Sequence, residues 1–425
     1  MSKTYMRITA LLMVALLVPA VAFASGQGEA EEAADQLEIF SWWTAGGEAE
    51  GLQALFDIYS EKYPDVEIIN ATVAGGAGTN AKAVLATRMQ GGNPPDSFQV
   101  HAGRELIDTW VVSDFMEPVT YILEENGWMD AFPDSVIDIC SYEGEVYSIP
   151  VNIHRSNVMW YNKEVFEEHG LEPPETAEDF FEVAEELEAA GVTPLALGDT
   201  NVWPSTHLMT SVLVGALGPE GYKGLWTGET SWDSDGVRTA LATFSRMLDY
   251  VNDDHSALTN IDAAQYVADG KAAMTVMGDW VHGYYLSKGL EPDVDYGWAP
   301  TPGTNGVFIM LSDSFGLPKG APHPTNVERW LEVIASVEGQ DAFNPIKGSI
   351  PARTDTDRNL YDVYLKSAMD DFSSDTIVPS LAHGSAASEP WLTTFNDTMN
   401  VFVTNRDVDQ AMQQLQQAAN RYVPD

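Results

Sequence analysis

Two adjacent tryptophans, Trp42 and Trp43, follow a short apolar strand predicted at Leu37–Phe40. A second polar segment, Gln99 to His101, ends another predicted strand in the same way. Open α/β sheets place their ligands at the carboxyl ends of strands. Indole rings offer flat apolar faces there, and amide and imidazole groups form hydrogen bonds. The two segments therefore predict a binding site for a small ligand that also carries polar groups.

The elements that would bring these segments together are predicted from hydrophobic periodicity. An amphipathic helix is predicted near 48–62, a strand at Val66–Ala71, a further helix around Ala81–Leu85 and a strand at Ser97–Val100. Crossover connections of this length join parallel strands and predict a doubly wound sheet. Both polar segments then lie at the carboxyl edge of one sheet.

A second α/β block is predicted from about Val151 onward. Thr176 and Asp179 form a variant of the capping box at the start of an amphipathic helix. Further amphipathic helices are predicted near 235–250, 327–334 and 408–419. A chain of 425 residues is too long for a single core, so we expect two lobes.

The amino terminus has the pattern of a secretory signal peptide over residues 1–24. Two basic residues precede an apolar run at 8–17, which is too short to span a membrane, and Ala22-Phe23-Ala24 supplies the small-residue cleavage site. Residues 25–36 are acidic with few apolar groups and predict a flexible linker. We therefore expect an exported protein that is cleaved after Ala24.

The charge of the chain limits the ligands that it can bind. It has 64 acidic and 21 basic residues and a formal net charge of −43. Such a field repels nucleic acid and anionic lipid and argues against anionic substrates, so a neutral or cationic ligand fits better. The acids are spread along the whole chain, which favours adaptation to a salty habitat as the reason for most of the charge. Cys140 is the only cysteine, which excludes a disulfide within the chain and predicts a buried packing residue.

Motifs for nucleotide binding, metal binding and serine catalysis are missing from the sequence. The glycine-rich Gly75–Gly78 segment lacks the phosphate-binding patterns, and the eight histidines show no metal-ligand spacing beyond His101 and Glu105, four residues apart. Carboxylates are too abundant to exclude an exported glycoside hydrolase with a catalytic pair of acids. A surface adhesin is a further alternative.

Several motifs resemble family 1 extracellular solute-binding proteins, the sugar-capturing components of bacterial ABC importers. They are Tyr63-Pro64-Asp65-Val66, Gly91–Asp96, Trp160–Lys163, Pro173–Thr176, Gly270–Met274 and Gly278-Asp279-Trp280. Other stretches are similar to the glucose- and mannose-binding branch of this family. These are Ile39–Trp43, Phe98–Gly103, Val151–Asn157, Met310–Gly316, Asn344–Ser349 and His383-Gly384. The resemblance extends from about Leu37 to the carboxyl terminus.

The resemblance implies the type II periplasmic-binding-protein fold, an α/β architecture in which each lobe is a mostly parallel sheet flanked by helices. Lobe one would comprise 37–148 and 313–346, and lobe two 152–309 and 352–425. Three hinge segments would cross between the lobes. They are expected at Ser148–Val151, Phe308–Ser312 and Lys347–Pro351.

The resemblance also implies a function and a set of ligand contacts. The protein would capture a monosaccharide, glucose or a related hexose, by hinge closure in the periplasm and deliver it to the membrane subunits of an ABC permease. It would act as a monomer, without cofactor, metal or nucleic acid. The implied contacts are Trp42, Trp43, Glu48, Gln99, His101, His154, Trp280, Asp313, Lys347 and His383.

Overall fold

The computed structural model describes residues 35–75 and 78–423. The predicted signal peptide, 1–24, lies outside the described residues, as does all but the end of the predicted linker, 25–36. Gln36, the last residue assigned to that linker, already belongs to the first strand.

The predicted β-α-β-α-β unit is confirmed at the start of the described chain. It consists of β1 (Gln36–Phe40), α1 (Gly46–Lys62), β2 (Glu67–Asn70), α2 (Thr79–Gln90) and β3 (Ser97–His101). β1 is parallel to both β2 and β3, so the chain leaves β1 and β3 at the same sheet edge. The apolar residues whose spacing predicts α1, Leu52, Leu55, Phe56 and Tyr59, are buried, whereas Val84, part of the apolar pattern that predicts α2, is exposed.

The remaining strands extend this sheet and form smaller ones. They are β4 (Met116–Glu117), β5 (Ser141–Tyr142), β6 (Glu145–Val146), β7 (Ser148–Pro150), β8 (His154–Arg155), β9 (Val158–Asn162), β10 (Thr193–Leu195), β11 (Ala272–Val276), β12 (Tyr296–Pro300), β13 (Val307–Leu311), β14 (Asp313–Pro318) and β15 (Thr376–Pro379). The first sheet has the order β2-β1-β3-β14-β4, with β7 also paired to β14. β14 is antiparallel to β3 and β7, so this sheet is mixed.

The expectation of a mostly parallel sheet is wrong for the second sheet, which has the order β10-β11-β9-β12. β10 and β11 are parallel, but β9 is antiparallel to both β11 and β12. Helical periodicity indicates that a helix separates two strands. A strand–helix–strand connection makes the two strands parallel only when they become neighbours in the sheet. Here β11 lies between β10 and β9, and β9 lies between β11 and β12, so β9 and β10 are not neighbours and neither are β11 and β12.

The helices pack around these sheets. They are α3 (Thr120–Glu125), α4 (Asp134–Ile139), α5 (Lys163–His169), α6 (Ala177–Ala190), α7 (Trp203–Thr227), α8 (Asp235–Met247), α9 (Asn260–Ala268), α10 (Trp280–Ser287), α11 (Pro324–Ala335), α12 (Val337–Lys347), α13 (Val363–Ser374), α14 (Glu389–Asn405) and α15 (Val408–Tyr422). The predicted capping box of Thr176 and Asp179 is present at the start of α6. A π-helical turn, Glu105–Val111, follows β3.

Three segments connect the first sheet to the small sheet β15-β13-β8. Residues 151–153 join β7 to β8, and Ser312 joins β13 to β14. The third segment follows α12, and in it Ile350 pairs with Ile153. Each segment overlaps one of the three predicted crossings, but residues 148–150 and 308–311 of the predicted ranges belong to β7 and β13.

Apolar side chains form two large clusters. One surrounds the first sheet and continues through Trp160 and Tyr296 of the second sheet, and the other lies among α6, α7, α8, α14 and α15. Cys140 is buried as predicted, and burial raises the pKa of its thiol to about 12. Within the described ranges, every helix is too short or too polar to cross a membrane.

Candidate ligand-binding site

A cavity of about 960 Å³ is lined by residues that follow β1 and end β3, by the start of β14, and by parts of α10 and α14. All ten predicted contact residues contribute to its wall. They are Trp42, Trp43, Glu48, Gln99, His101, His154, Trp280, Asp313, Lys347 and His383. The fold therefore brings together side chains that are up to 341 positions apart in the chain, from Trp42 to His383.

Asp313 is the buried acceptor at the centre of this wall. Its Oδ1 accepts a hydrogen bond from Gln99 Nε2 at 2.8 Å, and its Oδ2 accepts one from Asn152 Nδ2 at 2.9 Å. Burial alone raises the pKa of Asp313, but the hydrogen bond with His154 and the charges of His101 and Lys347 outweigh it and hold that pKa well below its ordinary range. Asp313 is therefore an ionised acceptor at neutral pH.

Backbone N–H groups fix the orientation of both side-chain amides that donate hydrogen bonds to Asp313. Gln99 Oε1 accepts from the Trp42 N–H at 3.2 Å and from Ser41 Oγ at 2.7 Å. Asn152 Oδ1 accepts from the Asp313 N–H at 2.8 Å. Because an N–H only donates, each amide must turn its oxygen to the backbone and its NH2 group to the carboxylate.

His154 lies between two carboxylates. Its Nδ1 forms a short hydrogen bond with Asp279, which also accepts from the Arg155 N–H at 2.9 Å. Its Nε2 lies 3.4 Å from Asp313 Oδ2. Burial lowers the pKa of His154, but the charge of Asp279 and the hydrogen bonds to both acids prevail and raise it.

His101 is likewise hydrogen-bonded to a carboxylate, that of Glu105 in the π-helical turn. Glu105 Oε2 lies 2.9 Å from His101 Nδ1 and accepts from Lys82 Nζ at 2.6 Å. Burial opposes ionisation of Glu105, but Lys82 and His101 lower its pKa to about 2. An ionised carboxylate only accepts, so His101 carries a proton on Nδ1, and in the neutral ring Nε2 is an acceptor.

Lys347 supplies a donor from α12. It is only 2% exposed, and its Nζ donates to Glu48 Oε1 at 2.9 Å. The same Nζ lies 5.8 Å from the ring centre of Trp43 and 5.9 Å from that of Trp280. Trp43 also packs against core phenylalanines, so its indole is largely buried.

Aromatic rings form a continuous apolar part of the wall. The His383 ring centre lies 5.2 Å from Trp280, 5.5 Å from Trp203 and 5.4 Å from His207. Burial, together with the nearby charges of His207 and His101, lowers the pKa of His383 well below its ordinary value. His383 is therefore a neutral hydrogen-bonding group beside indole faces.

Sequence reasoning missed Lys82, Trp203 and Glu389, which also line the cavity. It noted the spacing of His101 and Glu105 but weighed it only as a metal site. Among the described residues, no group of three or more histidine, cysteine or acidic side chains is arranged to hold a metal. The sequence signal that would have identified Glu105 is its position four residues after a candidate ligand contact, just beyond the end of the predicted strand.

Comparison with known proteins agrees with this architecture. Residues 34–341 match the family described as bacterial extracellular solute-binding protein. An uncharacterised ABC transporter extracellular-binding protein of Pyrococcus horikoshii is 40% identical over 423 residues, which cover 97% of this chain and 95% of that protein. A probable sugar-binding periplasmic protein of Brucella suis is 31% identical over 88% of this chain and 90% of its own length. The solved structure of the bacterial solute receptor AcbH has a TM-score of 0.81 at 18% identity, over 91% of this chain and 98% of that one.

The sheets, the three connecting segments and the enclosed polar cavity define a two-lobe binding protein with the type II periplasmic-binding-protein fold. The chain belongs to the bacterial extracellular solute-binding proteins. The relatives and solved structures that match this chain are solute-binding proteins and not enzymes. The glycoside hydrolase alternative is therefore set aside.

Proposed function

We propose that this protein is the sugar-capturing component of an ABC importer and that its cavity binds a hexose, glucose or a close relative. It would be exported to the periplasm, lose its signal peptide after Ala24 and act as a monomer that docks on a membrane permease. The names of its relatives support this proposal. The Pyrococcus protein is named for an ABC transporter, the Brucella protein for sugar binding, and AcbH is described with an exclusive preference for β-D-galactopyranose.

The observation that carries the proposal is the fixed hydrogen-bond polarity around Asp313. A sugar hydroxyl both donates and accepts, so it can donate to the Asp313 carboxylate while it accepts from Lys347. Hydrogen bonds to charged groups contribute about 1.5–3 kcal/mol each. Trp280 and Trp42 offer apolar faces to the C–H side of the sugar ring.

Hinge closure would couple binding to recognition by the permease. We propose lobes formed by 37–148 with 313–346 and by 152–309 with 352–425. The first would contribute most of the polar contacts, and the second His154, Trp280 and His383. A ligand that bridges both lobes stabilises the closed state by its differential affinity for that state.

The proposal is tested by a thermal-shift screen of monosaccharides and disaccharides, followed by calorimetric titration. We expect a hexose to raise the melting temperature and Asp313→Ala to abolish both the rise and the binding heat. Asp138→Ala, at an exposed position of α4, is the matched control and should retain both. A hexose that binds the Asp313→Ala variant as tightly as the wild type would contradict the proposed site.

A further inference from the structure

Two loops beside β10 form the part of the cavity wall that contains Trp203. The 196–202 loop follows β10 and leads into α7, and the 252–259 loop leads into α9. Residues of these loops and of the helix starts that follow them line the cavity: Asn201, Trp203, Thr259 and Asn260. The ring centre of Trp203 lies 5.5 Å from that of His383. The positions of these two loops therefore determine the shape of the cavity on this side.

The two loops are in direct backbone contact. The Asp199 N–H donates a hydrogen bond to the carbonyl oxygen of His255 at 3.0 Å. Gly198 permits the close approach, because a Cβ at this position would lie only 2.0 Å from the carbonyl oxygen of Thr259. A displacement of one loop would therefore disturb the other, together with the cavity residues that both carry.

A carboxylate and an imidazole join the same loops through their side chains. His255 Nδ1 lies 2.8 Å from Asp199 Oδ1, and Ser205 Oγ donates to Asp199 Oδ2 at 2.8 Å. Burial raises the pKa of Asp199, but the hydrogen bonds from His255 and Ser205 outweigh it and lower that pKa. Asp199 is therefore ionised at neutral pH, and since an ionised carboxylate only accepts, His255 carries a proton on Nδ1.

The placement of this pair indicates a role in positioning. The side chain of Asp199 is only 7% exposed and that of His255 is 23% exposed, yet neither residue lines the cavity. A largely buried carboxylate is costly unless it is paired, and apolar side chains of the same volume often stabilise a fold as well. Here the carboxylate connects the 252–259 loop, through His255, to the first turn of α7, through Ser205. The pair therefore lies directly behind Trp203.

We propose that Asp199 and His255 are a positioning pair that holds the two loops in the arrangement that binds the sugar, and that protonation of His255 strengthens this hold. This inference rests on the proposed function and extends it. A hydrogen bond between charged groups is about twice as strong as one between neutral groups. Because only the ordered wall binds the sugar, the apparent Kd rises by the factor by which the ordered fraction falls.

The charges around His255 determine the pH range of this effect. The hydrogen bond to Asp199 and the charges of Asp199 and Asp254 raise the pKa of His255, and they outweigh burial and the charge of Arg406, which lower it. The charge on His255 is therefore fully present below the ordinary pKa of about 6.5 and is lost as the pH rises through the raised value. Sugar binding should weaken over that range. The pKa of His154 is raised as well, so the effect of His255 is the difference between the wild type and a variant.

The test measures the Kd for a hexose by calorimetric titration at pH 6 and pH 9. In His255→Asn the amide NH2 takes the place of Nδ1 and donates to Asp199 without a charge. We expect this variant to bind the hexose about three- to tenfold more weakly than the wild type at pH 6, and within about twofold of it at pH 9. Asp199→Asn should show the same loss at pH 6, and the double variant no further loss, because each substitution removes the same ion pair. His169→Asn, in the last turn of α5 and outside the cavity wall, is the matched control and should leave the Kd unchanged at both pH values.

Hydrogen exchange of the ligand-free protein at pH 6, followed by mass spectrometry, gives a readout that does not depend on sugar. The Asp199 N–H should exchange faster in His255→Asn than in the wild type, because the contact between the loops opens more often. Unchanged exchange in this variant would overturn the proposal.

The outcomes separate this proposal from the proposed function. If a hexose binds the wild type and His255→Asn equally at pH 6, even with a lowered melting temperature of the variant, the pair is only structural and the proposed function stands. If the variant binds more weakly by the same factor at both pH values, protonation of His255 has no part and the proposal is wrong. If no sugar binds the wild type, the proposed function is wrong and the positioning of a sugar with it.

Discussion

Replacing Asp313 by asparagine changes one carboxylate oxygen, an acceptor, to an NH2 group, a donor. The amide groups that face this carboxylate are donors as well. Besides His154, the carboxylate has two amide partners, Gln99 and Asn152, and both present NH2 groups to it. Turning the Gln99 amide would place its NH2 against the Trp42 N–H, and turning Asn152 would place its NH2 against the backbone N–H of residue 313. At least one pair of donors must therefore face each other in the variant.

The cost follows from this geometry. A buried donor left without an acceptor costs about 1–3 kcal/mol, and the hydrogen bond to a charged group that is lost contributes about 1.5–3 kcal/mol. Because removal of a buried charge offsets part of this, we expect Asp313→Asn to lower the free energy of unfolding by about 2–4 kcal/mol. An unfolding entropy of roughly 2 cal/mol/K per residue converts this to a fall in Tm of about 2–4 °C. Hexose affinity should fall about 10- to 100-fold.

A double substitution, Gln99→Glu with Asp313→Asn, tests the reasoning directly. The carboxylate introduced at position 99 can accept both from the amide introduced at position 313 and from the Trp42 N–H, so complementary polarity is restored. Urea unfolding at pH 7 should show the double variant to be more stable than Asp313→Asn alone, although the hexose affinity lost with the Asp313 carboxylate does not return. If the double variant is no more stable than the single one, amide orientation does not control this network and the reasoning is refuted.

Further perturbations probe other parts of the cavity wall. Burial lowers the pKa of His207 to about 4 from an ordinary value of about 6.5, so the neutral form is stabilised, and the unfolded state binds more protons as the pH falls. The free energy of unfolding should therefore drop by on the order of 3 kcal/mol between pH 7 and 4 from this group, and His207→Gln should remove that part of the drop in parallel urea titrations. Gly384 has a φ of +70°, and a Cβ there would lie 2.9 Å from the Cβ of Glu105. Gly384→Ala should therefore lower the free energy of unfolding by about 1–3 kcal/mol and weaken hexose binding. Unchanged hexose binding would show that this contact does not shape the site. Lys347→Met removes the donor to Glu48 and one of the proposed donors to the sugar. Calorimetry should show a Kd for the hexose raised about 10-fold or more; an unchanged Kd would remove Lys347 from the proposed contacts.

Local sequence patterns predicted the parts of the structure that depend on local physics. Hydrophobic periodicity and capping residues predicted α1, α6 and the parallel unit from β1 to β3, because these features are encoded within short segments. The direction of β9 was not predicted, since it depends on which strands become neighbours. That choice is made by packing between distant segments.

The same distinction applies to the site. Trp42 and Gln99 stand at strand ends, where the fold class itself predicts a ligand. Lys82 and Glu389 lie on helices, where a single charged residue is typical of a solvated surface. Only the approach of α2 to α14 makes them part of a cavity. No local pattern in either helix carries that information.

The charge balance of the cavity agrees with a neutral, hydroxyl-rich ligand. A chain with 64 acidic and 21 basic residues places three lysines in the cavity wall, and two of them, Lys82 and Lys347, are each paired with a glutamate. Buried ion pairs rarely stabilise a fold more than apolar side chains of the same volume, so stability alone does not account for them. Each ammonium keeps N–H donors beyond those used in its ion pair. The paired glutamate also cancels the positive charge of the lysine, which would otherwise favour an anion as ligand. Lys82 and Lys347 therefore provide strong donors without a net positive field, which favours hydroxyl groups over anions.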